Sequence, residues 1–292
     1  MRSLHAYKSK AMSLISPLVP DELYLKMYYY LVFNRRINLK NPTTYSEKLQ
    51  WLKLHDKRDI YTQLVDKYRS RFYTERILGN QDNLIPLLGV WDSFEEIDFD
   101  SLPQQFVLKT NHDSQGVIVC KDKSTFDIKG ARKKLNKCLH RNYYWASREY
   151  PYKNVPRKII AEKFMVDEQY GELRDYKFFC FNGKCEFFFI ATGRSTGNVM
   201  FDFFDKDLNP IPVIQGHPHA PELPDIPENI AEMIQMAEKL SDRFPQIRID
   251  LYNIQGKIYV GEYTIFHFGG LMPFVPDSYD EFFGKYIQLP KE

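Results

Sequence analysis

The sequence predicts an α+β protein, with a helical N-terminal region followed by two strand-bearing units. Three observations carry that expectation. Thr44-Tyr45-Ser46-Glu47 has the Thr-x-x-Glu form of a capping box, in which two side chains satisfy each other's backbone amides, and Trp51, Leu52 and Leu54 follow it. From Leu84 the texture changes to short apolar runs broken by Pro and Asp. Two turn signals, Asn182-Gly183 and Asn253-Ile254-Gln255-Gly256, then join segments that read as paired strands. On this reading the helical region is residues 1–83, the smaller strand-bearing unit 84–160 and the larger one 161–292.

Taken in order, a first amphipathic helix sets Arg2, Lys8 and Lys10 among Leu4, Met12, Leu14 and Ile15. A later helix runs from about Ile60 to Ile77, carries Asp66-Lys67, and closes at Gly79-Asn80. Gln105 to Thr110 and Val117 to Lys121 read as strands around a polar loop, residues 111–116. A basic helix covers about Asp127 to Glu149, and Ile159 to Met165 is a strand leaving the smaller unit. The hairpin Tyr176–Phe181 and Cys185–Ala191 turns at Asn182-Gly183. Six prolines between residues 207 and 227 make an irregular connection, with Pro227 in the first turn of a helix through Met233, Met236, Ala237 and Leu240. The last hairpin joins Ile247–Tyr252 to Lys257–Phe266.

Composition excludes several classes. Charged residues are 27% and apolar residues 43% of 292, an ordinary globular balance rather than that of a disordered chain. A formal net charge of +2 gives no reason to expect bulk nucleic-acid binding. Cys120, Cys138, Cys180 and Cys185 show no metal-finger or disulfide-framework spacing. The N-terminus has no apolar core long enough for a signal peptide, and Met27 to Phe33 is far short of a membrane span. The expected compartment is the cytoplasm, with the first helix able to lie on the inner face of the membrane.

Asp250 and Glu262 are the most informative pair. If Gly256 takes the left-handed position of a three-residue loop, Asp250 faces Val260 and Glu262 is its diagonal neighbour on the same face. Two carboxylates so placed need a cation or a proton between them, and the arrangement suits Mg²⁺. Lys109 ends an apolar strand and precedes the loop Asn111-His112-Asp113-Ser114-Gln115-Gly116, an arrangement able to reach and cover a phosphate. An exposed strand-end lysine is the plainer reading, as a solvated helix cation is for Lys67. The backbone beside Glu162, Lys163, Phe164 and Met165 can edge an adenine pocket, or belong to a core strand. Asp175 and Lys177 share a strand face, Arg248 shares the face of Asp250, and Arg194 adds a cation. Salt bridges or phosphate binding both suit them. His112, His217, His219 and His267 form no convincing zinc set. There is no glycine-lysine phosphate loop, dinucleotide fingerprint or nucleophile elbow.

The order Asp66-Lys67, Lys109 with its loop, Glu162-Lys163-Phe164-Met165, Asp175-x-Lys177, Arg194, Asp250 and Glu262-x-Thr264 resembles the ATP-grasp superfamily. Residues 41–51, 84–98, 106–109, 175–184 and 261–264 are similar to its TupA-like branch, associated with teichuronopeptide and surface-polysaccharide biosynthesis. The resemblance implies an ATP-grasp fold, in which two α+β subdomains clamp a nucleotide. It implies that Lys67 and Lys109 contact ATP phosphates, that Asn111, His112, Ser114 and Gly116 belong to the covering loop, and that Glu162 with the backbone of Lys163, Phe164 and Met165 takes adenine. Lys177, Arg194 and Arg248 would handle the transferred phosphoryl group, and Asp250, Glu262 and Thr264 would hold Mg²⁺. The implied reaction is an ATP-dependent carboxylate–amine ligation. Its expected partners are a polysaccharide, or a sugar-nucleotide or lipid-linked precursor, and an amino acid or other amine. A glycosyltransferase using Asp205-Lys206-Asp207, an ATP-grasp kinase and a non-catalytic nucleotide-binding protein are the alternatives. The chain departs from the superfamily pattern in having Thr264 where Asn is usual and Asp113 and Gln115 where glycines are usual. Asp167, Glu168 and Glu172 compete for the ribose.

Overall fold

The computed structural model describes Met12 and residues 16–290, so the expected first helix, apart from Met12, lies outside the described residues. Helix α1 (Asp21–Phe33) is followed by α2 (Tyr45–His55), which opens on the expected capping box: the Thr44 side chain accepts from the Glu47 amide, and the Glu47 carboxylate accepts from the Thr44 amide. The single helix expected over 60–77 is two, α3 (Asp59–Val65) and α4 (Ser70–Leu78). The break has a local cause. Asp66 Oδ1 accepts from the amides of Tyr68 and Arg69, a side chain-to-backbone alternative that competes with helix continuation.

A four-stranded antiparallel sheet follows, in spatial order β1 (Leu87–Trp91), β4 (Ile159–Lys163), β2 (Phe106–Thr110), β3 (Val117–Cys120). Helix α5 (Ile128–Leu139), capped by Asp127, packs Ala131 and Leu135 into its core beside Phe106, Leu108 and Ala161. The basic helix expected to reach Glu149 stops at Leu139, and a four-residue helix, α6 (Tyr144–Ser147), follows a turn. Strand β4 lies whole in this sheet, so the change of sheet falls after Lys163, beyond the boundary expected at 160/161.

The second sheet has six antiparallel strands, in order β10 (Lys257–Thr264), β9 (Ile247–Ile254), β5 (Asp175–Phe181), β6 (Lys184–Thr192), β7 (Met200–Asp205), β8 (Pro210–Ile211). Asn182 and Gly183 both have positive φ, as the tight β5–β6 turn requires. Under one face lies α7 (Ile230–Leu240), whose Met233, Ala237 and Leu240 are buried. Pro227 precedes this helix by three residues, and its carbonyl accepts from the Ile230 amide. On the other face α8 (Ser278–Gly284) covers one end, with Phe283 stacked on Phe187 at 4.1 Å. The same face carries Lys177, Arg248 and Asp250, all buried.

The β9–β10 turn corrects the expected register. The loop is two residues, Gln255 and Gly256, both with positive φ, pairing Ile254 with Lys257 and Leu251 with Val260. Continued regularly, that register would set Asp250 opposite Gly261 and turn Glu262 to the other face. A bulge between Val260 and Glu262 shifts the ladder by one, and Asp250 pairs directly with Glu262. Gly261 makes the bulge fit. A Cβ there would sit 2.7 Å from the Tyr252 ring and 3.2 Å from the Asp250 carbonyl oxygen.

Candidate active site

A pocket of about 400 Å³ opens between the two sheets, within the usual size for a small-molecule site. Val107, Lys109, Val119, Glu162 and Lys163 line it from the four-stranded sheet, and Phe164 and Met165 from the crossing segment. Asp175, Arg194 and Tyr252 line its far end. Apolar walls at one end and charges at the other suit a ligand with a flat apolar part and an anionic tail. The Lys163 amide already donates to the Pro86 carbonyl at 2.9 Å, so that N–H is not one of the free edge groups expected for a base. Of the three carboxylates considered for a ribose, only Glu172 lines the pocket, and its oxygens accept from the amides of Gly193 and Ser195.

Lys109 reaches Glu162 at 2.5 Å, and Arg71 adds a cation 3.8 Å from the same carboxylate. Sequence reasoning missed Arg71, whose only signal is its place four residues after Lys67. Lys67 sits in the break between α3 and α4. Its ammonium donates to the Asp113 carbonyl at 2.7 Å and meets Glu262 at 3.0 Å, tying the covering loop to the β10 carboxylate.

Within the loop the structure changes several expected roles. Asn111 is buried and spends its amide on Asp66, Pro156 O and the Lys158 amide. His112 is buried too, donating from Nε2 to Arg141 O, and burial pushes its pKa below the usual histidine range. These two side chains brace the loop instead of facing a phosphate. Asp113 also points inward. Oδ1 accepts from Thr110 Oγ1 and from the Gln115 and Gly116 amides. Burial opposes its charge, but those hydrogen bonds outweigh burial and hold its pKa below the usual carboxylate value. Its acidity is therefore a loop staple, without the repulsion expected for an acid facing phosphates. Gly116 must be small, since a Cβ would lie 1.9 Å from Thr110 Oγ1. Ser114 is exposed at the loop tip.

The β5 and β9 side chains form one buried network, extended by Thr264 on β10 and by the half-exposed Arg194. Lys177 pairs with Asp250 directly across the ladder and lies 3.3 Å from Asp175, which holds Arg194 at 2.6 Å. Arg248 grips Asp250 with two N–H groups, at 2.6 and 2.8 Å, and donates to Thr264 Oγ1 at 2.9 Å. Burial works against the Asp250 charge, yet Arg248 and Lys177 outweigh it and hold its pKa below the ordinary carboxylate value. Lys177, Arg194, Arg248, Asp250, Glu262 and Thr264 are thus brought together, as their order along the strands anticipated. His267, which contacts Arg248, was read only as a failed zinc ligand.

Among the described residues no three His, Cys, Asp or Glu side chains converge as a metal cage. Asp250 and Glu262 are paired carboxylates with the Thr264 hydroxyl two residues on, the oxygen donors a hard cation takes, and here Arg248 and Lys177 hold Asp250 while Lys67 holds Glu262. The Asp205-Lys206-Asp207 motif lies elsewhere, in a surface turn where Asp205 accepts from the Asp207 and Asn209 amides. No helix among the described residues is long and apolar enough to cross a membrane.

Two antiparallel sheets with a pocket between them, a glycine-ended covering loop and a paired Asp/Glu on the last hairpin define an ATP-grasp protein. The model of the TupA-like ATP-grasp family matches residues 47–288, and the chain belongs to that family. No curated protein matches the sequence significantly. Among solved structures it is similar to an L-amino acid ligase from Bacillus licheniformis (12% identity, 87% of this chain and 57% of that one, TM-score 0.45). It is also similar to a purK N5-carboxyaminoimidazole ribonucleotide synthetase bound to ADP (15%, 82% and 56%, TM-score 0.43). A D-alanine–D-alanine ligase from Bacillus anthracis complexed with ATP shows 15% identity over 70% of this chain and 54% of that one, with a TM-score of 0.38. The chain thus spans little more than half the length of each of these proteins.

Proposed function

We propose that the protein is an ATP- and Mg²⁺-dependent carboxylate–amine ligase that modifies a surface polysaccharide or its precursor with an amino acid or related amine. The observation that carries the reading is the buried Lys177–Asp250–Arg248 network, with Glu262 beside it, next to a pocket of nucleotide size. Family membership supports the ATP-dependent ligase class, and the polysaccharide and amine come from the resemblance alone.

Phe164 and Met165 form the apolar end that takes the base, and Lys109 and Lys67 bind the phosphates, with Ser114 at the loop tip closing over them. Asp250 and Glu262 would hold Mg²⁺, assisted by Thr264, and the metal supplies charge neutralisation between phosphate oxygens when bound. A substrate carboxylate oxygen bonds to the γ-phosphorus as the bond from phosphorus to the ADP oxygen breaks. Arg248, Lys177 and Arg194 face the oxygens on which charge develops. The amine nitrogen then bonds to the acyl carbon, phosphate leaves with the C–O electrons, and the amine releases a proton.

Calorimetry with ATP and with UDP-sugars, with and without Mg²⁺, on wild type and Glu262→Gln tests this. The expected result is Mg²⁺-dependent ATP binding weakened at least tenfold in the variant, followed by ADP release with an acid and an amine. Binding of UDP-sugars with indifference to ATP would overturn the reading.

A further inference from the structure

Arg248 has one neighbour that the proposed chemistry leaves without a role. The His267 ring is 1% exposed and meets Arg248 Nη1 through Nδ1. Its other nitrogen, Nε2, lies 2.9 Å from Gln215 Oε1, and Gln215 Nε2 lies 2.9 Å from the Met272 carbonyl. The ring stands edge-on to Phe179, 4.9 Å between centroids, which fixes its plane.

The polarity of this chain follows from its ends. A backbone carbonyl only accepts, so Gln215 must turn its NH₂ to Met272 and its oxygen to the ring. The ring nitrogen facing that oxygen must carry the proton. A guanidinium only donates, so the nitrogen facing Arg248 must be bare. Both ends therefore demand the same neutral Nε2–H tautomer. Burial, with Arg248 and Lys177 nearby, also lowers the pKa of His267 well below the usual value.

A count of Arg248 donors shows what this achieves. Its Nε–H and one Nη2–H go to Asp250, the other Nη2–H to Thr264 and one Nη1–H to His267, which leaves one N–H on Nη1. We propose that His267, oriented by Gln215, is a positioning residue that locks the Arg248 guanidinium so that its remaining N–H is held ready for a substrate oxygen. Without His267 the guanidinium is still gripped by Asp250, but its Nη1 edge loses its anchor.

This inference rests on the ligase reading for the identity of the oxygen, and its structural half is testable apart from it. Nitrogen-15 NMR of histidine-labelled protein should show His267 protonated at Nε2 and bare at Nδ1. The opposite tautomer, or an imidazolium at pH 7.5, would overturn the proposal. ATP affinity by calorimetry and ADP release from Mg²⁺-ATP are then compared for His267→Ala, His267→Asn and Gln215→Leu. Asn keeps an acceptor near the Nδ1 position. Expected are ATP affinities within twofold of wild type, turnover lowered roughly 10–100-fold in His267→Ala and Gln215→Leu, and recovery of most of it in His267→Asn. Unchanged turnover in Ala, or equal losses of turnover and ATP affinity in both Ala and Asn, would sink it. Should His267→Ala not fold, Gln215→Leu decides, by loss of the fixed tautomer together with lost turnover. Failure of wild type to bind ATP would refute the ligase reading and leave the tautomer result standing.

Discussion

The two sheets treat charge differently. On the four-stranded sheet Lys109 and Glu162 pair in the pocket wall, with side chains 18% and 8% exposed, and on the proposed function Lys109 exchanges this partner for a ligand phosphate. On the six-stranded sheet Lys177 and Asp250 are 6% and 1% exposed, and each is shared among further partners. The wall pair adapts to a ligand at small cost. A buried network resists rearrangement because each member would leave an uncompensated charge in a low-dielectric interior. The difference suits one sheet to capture and the other to hold charge where a reaction needs it.

Lys177→Met and Lys109→Met break this comparison most sharply. Removing Lys177 takes one cation from each of two buried carboxylates, which keep Arg248 and Arg194, and should lower unfolding stability by about 3 kcal/mol, measured by urea denaturation. Removing Lys109, the more exposed of the two, leaves Glu162 with Arg71 and should cost less, about 1–2 kcal/mol. Equal losses would refute the contrast. Gly261→Val tests the register behind the deep network. The new side chain collides with Tyr252 and should cost about 1–3 kcal/mol, with the Asp250–Glu262 pairing lost from backbone nuclear Overhauser contacts. A variant with native pairing and native stability would show that the bulge does not depend on glycine.

A separate effect concerns Lys53, buried against the far side of the 267–270 turn. Its ammonium donates to Gln50 Oε1, Ser147 O and Gly269 O. Burial depresses its pKa from 10.5 to about 7, partly offset by Glu149. Between about pH 7 and 10.5 the unfolded chain therefore binds more protons at this lysine than the folded one. The contribution of Lys53 to stability rises with pH over that window and is least below it. Thermal melts at pH 7 and 9 should show a gain in wild type that shrinks in Lys53→Met, and an equal gain in both would exclude the assignment.

Much of this was legible in the residues. The capping box at Thr44–Glu47 and the Asn182-Gly183 turn are local, with both partners within a few positions of each other. Strand alternation placed Lys177 beside Asp175 and Arg248 beside Asp250 on common faces. The β9–β10 loop shows the limit. Two-residue and three-residue turns are both open to Asn-Ile-Gln-Gly, and only the tertiary structure shows the bulge at Gly261, packed under Tyr252, that restores the pairing. Asp113 shows it again, since an acid in a phosphate-covering loop reads as repulsive until Thr110 and Gly116 are seen to take its charge.

By itself, then, the sequence determined the class of fold, its principal hairpins and the residue types at the site, because turn propensities, capping and period-two alternation act over a few residues. Tertiary structure alone decided which distant polar groups became partners. Arg71 with Glu162, Lys67 with Glu262 and Gln215 with His267 join positions 52 to 195 residues apart. Contacts at that separation form only because burying the two apolar cores brings the elements together, and no local rule encodes the result.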